Sequence, residues 1–114
     1  MKKNFFLAIL TFVSVVLCTF LAEGTNTYSI YFASDRSGNL DIYSAFYPSA
    51  GEPKNLTSAN PYVDTEPCVS GDGKKLIYTA YSKDGRSQIF IMNTDGSGKK
   101  QLTSGSGNNK MPSF

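Results

Sequence analysis

Four aspartates beside glycine-bearing turns are the residues of this chain with the plainest chemical potential. Asp35, Asp41, Asp72 and Asp95 are carboxylates that could ligate calcium if gathered in one loop. Their spacing argues otherwise, because the twelve-residue calcium loop closed by a glutamate is missing. Ser97, Ser104 and Ser106 sit among glycines, yet none lies in the G-x-S-x-G elbow that exposes a nucleophile. Gly96-Ser97-Gly98 and Ser104-Gly105-Ser106-Gly107 read as flexible hairpin and linker. A phosphate loop needs Gly-Lys-Ser/Thr between a strand and a helix. Histidine is absent from the sequence, which removes imidazole as a general base or metal ligand. The residues thus predict no catalytic residue, no cofactor and no metal ligand. Asn55-Leu56-Thr57 fits a glycosylation acceptor, relevant only in a eukaryotic secretory pathway. Tyr47 and Tyr62, in or beside loops, are candidates for contact with a protein partner, with core or rim packing as the alternative.

The elements that must position these residues are short strands and turns. Strands are expected over 28–33, 41–47 and 54–57, then over 66–70, 75–81, 87–92 and 100–103. The stretch between Thr57 and Asp64 reads as a polar linker. Gly38, Gly73, Gly85 and the pair Asp95-Gly96 mark the hairpins, where Asp before Gly predicts a tight two-residue turn. Asp72 should also brace its turn by accepting backbone N–H groups. No 3.6-residue apolar periodicity follows Gly24, so no helix is expected there. The two halves repeat each other: Ser34–Ser58 is answered by Ser82–Ser104, and Leu56-Thr57 by Leu102-Thr103 about 46 positions later. A repeat of that length built of strands and turns is the signature of propeller blades.

The strand faces favour the same architecture. Leu76, Tyr78 and Ala80 lie on one side of their strand and Ile77, Thr79 and Tyr81 on the other, so neither side is polar. A sheet with one wet face would alternate apolar and polar residues. Each sheet should therefore lie between two others, and Leu76, Ile77, Tyr78 and Tyr81 should not all be shielded by so short a chain. Broad apolar faces left open predict that residues 25–114 alone aggregate or stay partly ordered.

The first 24 residues differ in kind. Lys2 and Lys3 precede an apolar run from Phe5 to Ala22, and Ala22-Glu23-Gly24 offers small residues at a cleavage site. The expectation is a helical signal peptide over 1–24, cleaved after Ala22 or Gly24. An uncleaved anchor is the alternative; lipidation at Cys18 is disfavoured by the bulky Leu17. Without this leader, 9 basic and 8 acidic side chains remain, a net charge of +1. That balance predicts neither a nucleic-acid partner nor a membrane partner after cleavage. Cys68 is then the one cysteine left, expected to be a buried apolar residue.

Pro67-Cys68-Val69-Ser70-Gly71-Asp72-Gly73-Lys74 resembles the P-x-W-S-P-D-G-K opening of the WD-like propeller repeats of TolB and related exported proteins. Val69 replaces the Trp and Gly71 the second Pro. SDRSGNLDIY (residues 34–43) resembles the family's turn and third strand, Asn93-Thr94-Asp95-Gly96 its next hairpin, and Pro112-Ser113-Phe114 the opening of a further unit. The resemblance implies an all-β fold of four-stranded antiparallel propeller blades: one over 28–58, one over 62–104, and the start of another at 111–114. The first blade lacks its innermost strand. About two blades are present where propellers have roughly 4 to 8, and a new unit opens at Phe114, so the chain is expected to be an N-terminal piece of a longer ring. The resemblance also implies a periplasmic or secreted, non-catalytic scaffold that binds a protein partner through blade-edge loops, as in the Tol-Pal system. The alternative is the N-terminal propeller of a prolyl oligopeptidase or dipeptidyl peptidase, whose G-x-S-x-G elbow would lie beyond residue 114.

Overall fold

In a computed structural model, residues 27–48 and 51–114 are described; the expected signal peptide lies outside them. These residues form seven strands: β1 (Tyr28–Ser34), β2 (Asp41–Tyr47), β3 (Lys54–Asn55), β4 (Asp64–Val69), β5 (Lys75–Tyr81), β6 (Ser87–Asn93) and β7 (Lys100–Gln101). All neighbours pair antiparallel, in a three-stranded sheet β1-β2-β3 and a four-stranded sheet β4-β5-β6-β7. These are propeller-type blades, as the repeat predicts.

The sheets pack face to face around one core. Tyr31, Ala33, Ile42 and Leu56 of the first meet Val69, Leu76, Tyr78, Ala80 and Met92 of the second. Alternation puts these residues on one side of each strand. The other side of the second sheet is less bare than the sequence suggests: Ile77 and Thr79 are buried along with Leu76 and Tyr78, and Tyr81 is half-buried. Residues 109–111 lie along this side. The Asn109 N–H donates to the Ser87 carbonyl at 2.9 Å, and the Lys110 ammonium sits 5.2 Å from the Tyr81 ring centroid.

Three local expectations are corrected. The turns are not two-residue turns with both central residues left-handed. No Asp has positive φ; the left-handed residue is the Gly that follows, as at Gly73 (φ 71°), whose N–H reaches the Ser70 carbonyl. This is a type I turn closed by a glycine, which leaves Asp72 free to accept from the Lys74 N–H at 3.0 Å. The strands expected over 54–57 and 100–103 end early. In each, a threonine hydroxyl takes the place of a ladder carbonyl: Thr57 Oγ1 accepts the Ile42 N–H and Thr103 Oγ1 the Ile89 N–H, both at 2.9 Å. Third, β4 begins at Asp64 rather than Glu66. A bulge between Thr65 and Cys68, with Glu66 at φ 56°, absorbs the extra residue.

Candidate functional site

The sequence's four candidate carboxylates stay apart. Asp41 is buried and fully engaged, accepting from Ser37 Oγ and Asn55 Nδ2 at 2.6 Å and from Asn39 Nδ2 at 3.2 Å. Asp72 and Asp95 are exposed and brace their own turns. Hydrogen bonds from Ser70 and Ser97 first, then from nearby backbone N–H groups, hold both carboxyls below the ordinary range. Asp35 is exposed in the β1–β2 turn, where its carbonyl accepts the Gly38 N–H. Among the described residues no three His, Cys, Asp or Glu side chains come together as a metal group. The Asn55 amide spans Asp41 and the Tyr43 hydroxyl, while its oxygen accepts the Thr57 N–H, so its amide already serves the fold. Cys68 is half-buried rather than buried, because it pairs with Ile77 on the side facing away from the first sheet.

The structure instead builds a cleft of about 610 Å³ where the linker after β3 passes the β5–β6 hairpin. Asn60, Tyr62 and Asp64 form one wall, Ser82, Asp84 and Arg86 another, and Tyr78, Phe90 and Lys99 line the space between. The linker is fixed by two asparagines. Asn39 Nδ2 donates to the Tyr62 carbonyl, and Asn60 Nδ2 to Asp64 Oδ1 at 2.7 Å. Tyr62 is 37% exposed. Arg86 Nε pairs with Asp84 Oδ2 at 3.1 Å, both half exposed, which is worth little to stability but sets a mixed-charge rim.

Asp64 is the residue the sequence did not reveal. It reads as the end of a polar linker, yet it is wholly buried, and its Oδ2 makes no hydrogen bond among the described residues. Burial pushes its carboxyl up to about 6, reinforced by the charge of Asp41 and opposed by Asn60, Thr57 and Lys99. Tyr78, below the cleft, is raised by burial and by Asp64. No sequence signal marks Asp64, since its burial comes from strand pairing with Ala80 and from the neighbouring sheet.

No protein-family model matches the chain, and no curated protein matches it. A solved structure from Agrobacterium tumefaciens, provisionally assigned as TolB, matches 80% of this chain with a TM-score of 0.64 and 23% sequence identity. The fold is TolB-like. The match takes in 35% of that chain, so the present chain corresponds to about a third of a TolB-like propeller protein. The TolB-like assignment rests on fold. The cleft lies between the linker after β3 and the second sheet, which supplies most of its lining.

Proposed function

We propose that this chain is a segment of an exported TolB-like β-propeller that serves as a non-catalytic protein-binding scaffold in the periplasm or cell envelope. The observation that carries the reading is the cleft between the linker and the second sheet, with Tyr62 exposed at its mouth and Asp84 and Arg86 on its rim. An aromatic ring beside paired charges suits a protein partner, because the ring supplies contact area at small entropic cost. Export rests on Lys2, Lys3 and the apolar run that follows, with residues 1–24 as the leader. The blades divide at 28–58 and 62–104, and a further blade opens at 111–114.

Two measurements test this. Residues 1–24 fused to a reporter active only outside the cytoplasm should give activity, and loss of Lys2 and Lys3 should reduce it. A photoreactive residue in place of Tyr62 should give one discrete adduct in the envelope, lost when Arg86 is changed to Glu. A reporter that stays inactive removes the exported reading. Adducts that persist unchanged in R86E remove the cleft as the docking site.

A further inference from the structure

Each sheet carries the same cross-strand aromatic pair, and a cation covers the first pair but not the second. Phe32 of β1 pairs with Tyr43 of β2, 5.9 Å between ring centroids, and Tyr78 of β5 with Phe90 of β6 at 5.8 Å. The strands correspond, because Ile42 and Ile89 immediately precede Tyr43 and Phe90 and hold the same bonds. Each accepts a leucine N–H and donates to the following threonine hydroxyl. Arg36, folded back from the β1–β2 turn, lies over the first pair, its guanidinium 5.3 Å from the Phe32 centroid and 4.9 Å from that of Tyr43. Its Nε donates to Ser34 Oγ at 3.1 Å, which steadies it there. Among the described residues no cation stands over Tyr78 or Phe90. The β5–β6 turn also has an arginine, but Arg86 is turned to Asp84.

The second pair lines the cleft, with Phe90 half-buried, and two carboxylates border the same space. Asp64 is wholly buried; its Oδ1 accepts from Asn60, and its Oδ2 has no hydrogen-bond partner among the described residues. Burial, then the charge of Asp41, raises this carboxyl to about 6, because Asn60, Thr57 and Lys99 compensate its charge incompletely. Asp84, on the rim, is held below the ordinary range, first by the Ser82 hydroxyl, and is charged at neutral pH. A buried carboxylate with an unused oxygen and an uncovered aromatic pair call for the same group, a cationic hydrogen-bond donor.

We propose that the cleft seats an arginine side chain of a protein partner, its guanidinium over Tyr78 and Phe90 as Arg36 lies over Phe32 and Tyr43, and donating to Asp64 Oδ2. This rests on the docking reading above and names the chemistry of the partner's anchor. Arginine fits better than lysine, because a planar guanidinium stacks on a ring while donating in its own plane. Asp64 is closed to water, so the donor reaches Oδ2 as the linker wall at Asn60 yields. Asp84 supplies a second counter-charge at the rim. Arg86 and Lys99, also lining the cleft, suit an acidic residue next to the incoming arginine. R86E therefore weakens docking through that acidic neighbour and leaves the seat of the arginine in place.

The probe is N-acetylarginine amide, titrated into the full chain at neutral pH, with N-acetylcitrulline amide as its uncharged isostere. Shifts of the Phe90 ring protons should saturate with the arginine probe and not with the citrulline one. Asp64→Asn keeps an acceptor for Asn60 and should weaken arginine binding about tenfold or more. Phe90→Leu should weaken it about threefold with an unchanged far-ultraviolet spectrum. Equal binding of the two probes overturns the proposal, and so does an arginine affinity that D64N leaves unchanged. The docking reading fails separately. A Tyr62 adduct abolished by R86E, with arginine binding indifferent to D64N, keeps the docking cleft and removes this seat. Arginine binding lost in D64N, with no Tyr62 adduct in the envelope, keeps the seat and removes the protein as its occupant.

Discussion

Leu56 and Leu102 hold the same place in their sheets and the same bond to an isoleucine carbonyl, yet the first is buried and the second half exposed. The difference is what lies over them. Leu56 is covered by the second sheet, where even a Cβ on Gly96 would stand 3.3 Å from its side chain. Leu102 has no such cover among the described residues. In a repeat of this kind, a residue's burial is a property of the neighbouring blade more than of its own.

The largest effect should come from the shared interface. Leu76 is wholly buried where the sheets meet, so Leu76→Ala should cost about 2–5 kcal/mol in urea unfolding. A loss below 1 kcal/mol would mean that the two sheets do not share a core.

Next is the pH dependence set by Asp64, which belongs to the covered side. Its folded-state value of about 6 lies above the ordinary 3.8, so the folded protein binds this proton more tightly. Its stabilising contribution is complete below about pH 4 and is lost as pH rises through about 6, a ceiling of roughly 3 kcal/mol. Asp64→Asn keeps an acceptor for Asn60 and should flatten this slope, leaving the variant more stable than the parent at pH 7. An unchanged slope in D64N would assign the dependence to another group.

A smaller effect separates two turns. Gly96→Ala would force a side chain into φ +92° against Leu56, at about 1–2 kcal/mol, whereas Gly71→Ala meets nothing within 4 Å and should be near neutral. Equal losses at the two sites would show that the 93–98 hairpin does not rest on the first sheet.

The strands were legible because alternation and turn glycines are local signals. All seven appear within about two residues of their expected bounds. What escaped depended on partners remote in sequence. The early ends of β3 and β7 required knowing that Thr57 and Thr103 turn inward to backbone N–H groups. In Asp64 polarity suggests exposure and in Cys68 smallness suggests burial, but strand register decides both and reverses them. The cleft forms where the linker after β3 folds back against the second sheet, and neither stretch of sequence alone announces it.

The equivalence of the two blades is tested most directly by Leu56→Ala and Leu102→Ala, compared by urea unfolding. The account predicts a loss of about 2–4 kcal/mol for Leu56→Ala and under 1 kcal/mol for Leu102→Ala. Equal losses would contradict it, because they would mean that the second blade does not cover the first as the geometry requires.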